Sequence, residues 1–119
     1  MDLNHTIVPA HDKDASAQFI ARILGLRYEG PVGHFAAVRV NDALTLDFDD
    51  WDEFTTHHYA FKVTDAEFDA AFERIRQEGV AYGSSPFAQD DMRINRRQGG
   101  RGLYFRDANG HSWELLTRG

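Results

Sequence analysis

His5, His58 and Glu114 are the residues of this chain whose types and spacing are best suited to chemistry. They lie 58 − 5 = 53 and 114 − 58 = 56 residues apart in a chain of 119. Each falls in a segment that reads as a β-strand. Two imidazoles and one carboxylate suit a divalent transition metal and leave coordination positions open. Their convergence would make a mononuclear metal site, and with it an enzyme.

Strand alternation says which way these side chains face. Tyr59, Phe61 and Val63 form an apolar face suited to packing, so His58, Ala60 and Lys62 face the other way. Trp113, Leu115 and Thr117 share a face, and Glu114 lies opposite. A carboxylate buried in such a strand needs a partner, and a metal is one. His5 opposes Thr6 and Val8, although Leu3 and Ile7 are apolar too. Taken singly, each residue has a blander reading: a hydrogen-bonded core histidine, or a glutamate solvated at a sheet edge. His57 should point away from His58, and His11, His34 and His111 read as polar turn or surface residues.

The elements that must position the trio repeat along the chain. A strand over residues 3–8 breaks at Pro9. A helix follows, with Asp14 as N-cap, Phe19, Ile20, Ile23 and Leu24 as its apolar stripe, and Gly25 as its stop. Three strands come next, over 26–29, 35–40 and 44–48, with Asn41-Asp42 turning the last two. The order then recurs. A strand covers 58–63, and Thr64-Asp65-Ala66-Glu67 has the form of a capping box. Phe68, Ala71, Phe72 and Ile75 make a helical stripe ended by Gly79. Strands over 80–82, 103–105 and 112–117 complete the set, with Asp107-Ala108-Asn109-Gly110 as a hairpin turn.

An offset of 53 aligns His5 with His58, Asp12 with Asp65, Ala17 with Ala70 and Phe19 with Phe72. The expected fold is α+β: one domain over residues 1–119 with two βαβββ modules, about 1–52 and 56–119. Edge to edge they would form one curved eight-stranded mixed sheet, helices outside and a cavity inside. The stretch 83–101 is long for a connector, which suggests a functional lid or disorder.

Composition narrows the partners. A net charge of −6 and a pI near 5.4 argue against general nucleic-acid binding. There is no cysteine, hence no disulfide framework and no thiolate. The first eight residues are too short and too polar for a leader, and no apolar run approaches a membrane span, so a soluble cytoplasmic protein is expected. Eleven arginines against two lysines fit a GC-rich genome as well as an anion-binding role.

The chain resembles the vicinal oxygen chelate superfamily, which includes glyoxalases, extradiol dioxygenases, fosfomycin-resistance proteins and bleomycin-resistance proteins. The matching stretches are Leu-Asn-His at 3–5, His-Tyr-Ala-Phe at 58–61, and Gly-Leu-Tyr-Phe-Arg-Asp-Ala-Asn-Gly-His-Ser-Trp-Glu-Leu at 102–115. The resemblance implies metal ligands at His5, His58 and Glu114, with Asp47 as a candidate fourth from the last strand of module one. It implies a divalent iron, manganese, zinc or nickel ion that holds two adjacent oxygens of a small substrate. Iron(II) would suit extradiol-type ring cleavage; zinc, nickel or manganese would suit isomerisation or nucleophilic opening. Tyr104, near the final hairpin, is a candidate acid or hydrogen-bond donor facing the cavity, though an ordinary strand aromatic is the competing reading. Arg96, Arg97 and Arg101 are candidates to receive an anionic substrate. A homodimer follows from the resemblance as well. The fosfomycin enzymes are similar in wording at 56–61, but the segment 94–102 lacks their serines and lysine. A second class of function is drug sequestration without chemistry, for which Phe35, Phe48, Trp51, Phe54 and Phe87 would supply an aromatic groove.

Overall fold

A computed structural model describes residues 1–119. The chain divides into two compact units, Met1–Thr55 and Thr56–Gly119. The class is α+β, with two helices and seven strands in two mixed sheets.

In the first unit, β1 (His5–Ala10), β2 (Arg27–Val32), β3 (Phe35–Arg39) and β4 (Thr45–Asp50) form a sheet of order β1-β4-β3-β2. β1 runs parallel to β4, and the other pairs are antiparallel. The strand does not break at Pro9. β1 is an edge strand with β4 as its one neighbour, so a residue without an N–H is tolerated on its open side. One sheet face carries Val8, Leu46, Phe48, Ala36 and Val38, all fully or nearly fully buried with α1 (Lys13–Leu24). Ala17, Ile20 and Ile23 are the fully buried residues of that helix. Its N-cap is Asp12 rather than Asp14: the Asp12 carboxylate accepts from the Ala15 amide at 3.1 Å. Asp14 then falls in the first turn, where its charge suits the helix dipole. Gly25 ends α1 in the left-handed conformation expected of it.

In the second unit, β5 (His58–Lys62), β6 (Gly102–Arg106) and β7 (Ser112–Leu116) form a sheet of order β5-β7-β6. β5 runs parallel to β7, as β1 does to β4. Trp113, Phe105, Leu103 and Leu115 are buried on one face, where Trp113 stacks on Tyr59 at 4.6 Å. The helix α2 (Asp65–Gln77) starts at the expected capping box and buries Phe68, Ala71 and Ile75. Asp107 organises the last hairpin, accepting from the Asn109 and His111 amides and from the Trp113 indole, each at 3.0 Å.

The strand expected over 80–82 does not form. The chain touches β6 through two isolated bridges, Gly83 to Tyr104 and Asn95 to Gly102. Ser84, Ser85 and Pro86 divert it between them, and Pro86 has no donor for a ladder. The diversion is an ordered structure, not a slack connector. Asp91 accepts from the Ser84 amide, the Ser84 hydroxyl and the Arg93 amide. Gly83 is required there, because a Cβ would lie 1.8 Å from the Ala88 carbonyl oxygen.

Candidate metal and substrate site

The register of each sheet shows which side chains share its open face. In the second unit, His58 pairs with Ser112 and Ser112 with Arg106. One step along, Ala60 pairs with Glu114 and Glu114 with Tyr104. These six residues share the face opposite Trp113 and Leu115, so His58 and Glu114 do stand on the same side. His58 Nε2 lies 2.9 Å from Glu114 Oε1. The Glu114 side chain is 14% exposed and that of His58 46%.

Tyr104 belongs to this cluster. Its ring centroid is 5.7 Å from that of His58, and its hydroxyl accepts from Arg97 Nη1 at 2.8 Å. Burial and the neighbouring Glu114 carboxylate hold the Tyr104 hydroxyl above its ordinary range; Arg97 pulls it the other way. Arg97 therefore reaches the site. Arg96, its neighbour, is exposed. Arg101 has a different job. Its guanidinium pairs with Asp69 at 2.7 Å and Asp65 at 3.1 Å and covers the Phe68 ring at 4.5 Å, fastening β6 to the start of α2. Those bonds hold its pKa above the usual value, and it does not stand with Tyr104 and Glu114.

The first unit repeats the frame. His5 pairs with Thr45 and Thr45 with Arg39; Ile7 pairs with Asp47 and Asp47 with Ala37. His5 and Asp47 line one cavity of about 210 Å3, together with Asn4, Thr45, Arg39 and Glu29. His5 Nδ1 is bonded to the Asn4 side chain at 2.8 Å. Asp47 thus stands to His5 as Glu114 stands to His58, two residues beyond the partner of the histidine.

This correspondence needs a second offset. The first strands match at 53, but 112 − 45, 114 − 47 and 106 − 39 all equal 67. The extra 14 residues fall in the loop between α2 and β6. The single offset of 53 could not find the match of Asp47 to Glu114, or of Arg39 to Arg106.

The donor set fits a divalent ion. Ligands about 2.1 Å from a metal in neighbouring coordination positions lie about 3 Å apart, and the His58–Glu114 separation is 2.9 Å. The structure gathers no group of three His, Asp or Glu side chains able to hold one ion; His58 and Glu114 come together as a pair. The remaining histidines depart from expectation in one case. His57 does turn from His58, its ring 5.9 Å from that of His111. His111, expected at the surface, is fully buried, and its Nδ1 accepts from the His57 amide at 3.0 Å. The same side of the sheet carries Tyr59, whose hydroxyl is pushed up to about 12 by burial and by the nearby Asp107 charge.

One further residue had no sequence signal. Gln89 is buried, donates to Ser112 Oγ at 2.9 Å and to the Pro86 carbonyl at 3.1 Å, and its Oε1 accepts no hydrogen bond. It lines a cavity of about 220 Å3 with Arg106, Asp90, Ala81 and Phe87. Of the aromatics proposed for a drug groove, Phe48 is in the core and Phe87 is fully exposed.

No protein-family model matches the sequence, and no curated protein matches it. Solved structures do. Oxidase ChaP-H2 is 47% identical over all of this chain and 94% of its own, with a TM-score of 0.95. Oxidase ChaP-H1 is 47% identical over all of this chain and 97% of its own, with a TM-score of 0.94. A glyoxalase/dioxygenase from Nostoc punctiforme is 25% identical over 95% of this chain and 88% of its own, with a TM-score of 0.70. The βαβββ and βαββ units, the His–carboxylate frame on their open faces and this full-length similarity place the chain in the vicinal oxygen chelate superfamily.

Proposed function

We propose that this chain is a metal-dependent oxidase acting on a small substrate that offers two adjacent oxygens. Three supports combine: the similarity to two proteins named as oxidases, the donor chemistry of the open faces, and the separation of His58 from Glu114. That separation of 2.9 Å is the observation that carries most. The proposed ligands are His5, His58 and Glu114, with Asp47 as a fourth. A bound divalent ion would act as a Lewis acid, holding both substrate oxygens and stabilising charge that develops on them.

The chain's own residues have separable tasks. His58 and Glu114 present a nitrogen and an oxygen at one spacing, set by neighbouring parallel strands. Tyr104 stands across the ladder from Glu114 with its hydroxyl held by Arg97, placed to donate to that carboxylate. Arg96, exposed beside the cluster, is the proposed receiver of an anionic substrate group. We also propose, from the resemblance to the superfamily, that the protein works as a homodimer.

Oxygen uptake tests the reading. Protein loaded with iron(II) or manganese(II) should consume dioxygen with a catechol or other vicinal diol of an aromatic ring. Turnover of a methylglyoxal–thiol adduct without oxygen uptake would instead assign a glyoxalase-type isomerase.

A further inference from the structure

We propose that Asp91, Ser84 and Arg97 form a positioning relay that fixes the Tyr104 hydroxyl and, through it, the Glu114 carboxylate. The inference rests on the reading of Glu114 as a metal ligand. It changes the role of Arg97 from substrate contact to positioning residue, and it gives the loop between α2 and β6 a function.

The contacts run from Asp91 to the Tyr104 hydroxyl, and Tyr104 stands directly across the ladder from Glu114. Asp91 accepts from both the amide and the hydroxyl of Ser84. The Ser84 carbonyl accepts from Asn95 Nδ2 at 3.1 Å and from Arg97 Nη2 at 3.4 Å. Arg97 Nη1 donates to the Tyr104 hydroxyl at 2.8 Å, and its guanidinium lies 5.6 Å from the centre of that ring. The Arg97 amide is held by Asn95 Oδ1 at 3.3 Å. Both terminal nitrogens of Arg97 thus have partners within the protein, although the residue, like Arg96, is exposed. An arginine meant for a substrate anion would present its planar fork outward.

The direction of the hydrogen bonds supplies the mechanism. A tyrosine hydroxyl has one proton and spare lone pairs. With Arg97 donating to the oxygen, the proton is free to turn toward Glu114, the ladder partner of Tyr104. A carboxylate held in this way is oriented before any ion arrives, as partners behind a metal ligand generally do.

The backbone agrees. Met92 and Gln98, at φ 59° and 55°, are the two non-glycine residues of the chain with left-handed backbone. They directly follow Asp91 and Arg97. Non-glycine residues are held there only where their surroundings insist, and such strain clusters at functional sites.

Calorimetric titration with zinc(II) tests the relay on the whole protein. Arg97→Gln, Asp91→Asn and Tyr104→Phe should each weaken zinc(II) binding roughly 10-fold, at the low end for partners of metal ligands. The double variant Arg97→Gln/Tyr104→Phe should bind no more weakly than Tyr104→Phe alone, because one relay is broken once. An unchanged Kd in Arg97→Gln, or a double variant showing the product of the two single losses, would overturn the proposal. If the wild type takes up no metal, the metal-enzyme reading falls separately. The same cycle on the unfolding midpoint of metal-free protein then decides: non-additive shifts keep the relay, and additive shifts reject it.

Discussion

The open faces of the two sheets carry one frame with two outcomes. His5, Thr45 and Arg39 cross the first sheet as His58, Ser112 and Arg106 cross the second. The next row reads Ile7, Asp47 and Ala37 in one and Ala60, Glu114 and Tyr104 in the other. Histidine, hydroxyl, arginine and carboxylate recur in equivalent places; the tyrosine does not. The outer edges differ more. In the first unit β2 pairs along β3, and its Glu29 binds Arg39 at 3.3 Å. That arginine, with Arg27, holds the Glu29 carboxyl below its ordinary range. In the second unit the corresponding edge is the 14-residue longer loop, which brings in Gln89, Asp91 and Arg97. Repetition supplies a histidine and a carboxylate in each copy, and the insertion in one copy brings in Gln89, Asp91 and Arg97.

The largest effects should separate the two carboxylates. Glu114→Gln removes a ligand and its charge together, and about a 100-fold loss of metal affinity is expected. Asp47→Asn should cost about 10-fold or less if Asp47 is a fourth ligand, read in the same titration. Equal losses would erase the asymmetry drawn between the units. Next in size is Gly83→Ala in the inserted loop. Its Cβ would meet the Ala88 carbonyl, and overpacking of this kind costs about 3 kcal/mol, read by denaturant unfolding. Neutral behaviour would mean that the loop gives way freely, which contradicts its role as a support. The smallest effect compares the helix starts. Asp12→Ala and Thr64→Ala should each cost about 1 kcal/mol. Thr64→Ala should cost the more, because the reciprocal Glu67 bond to the Thr64 amide at 2.8 Å is disturbed too.

Much of this was legible in the sequence. Period-two alternation placed His58 and Glu114 on one face, and the capping box, Gly25 and the Asp107–Gly110 turn marked their elements correctly. The errors have physical causes. Asp12 and Asp14 are equally good caps by type, and only the backbone entering α1 selects Asp12. Pro9 looked like a stop because its strand was not known to be an edge. Residues 80–82 have strand-like composition, but Gly83 and Pro86 turn the chain away before a ladder forms. His111 read as a turn residue because adjacency to Gly110 says nothing of its burial against His57. Arg97 and Arg101 looked alike in sequence; Asp65 and Asp69, one turn apart on α2, claim Arg101 alone.

The central proposal is the ligand set His5, His58 and Glu114. Elemental analysis of protein purified without chelators tests it most directly, with His5→Ala and His58→Ala prepared in parallel. The account predicts close to one iron, manganese, nickel or zinc per chain in the wild type, lost in both variants. Metal retained in full by His5→Ala would contradict it, confining the site to the second unit and leaving the matching frame of the first without a role in binding.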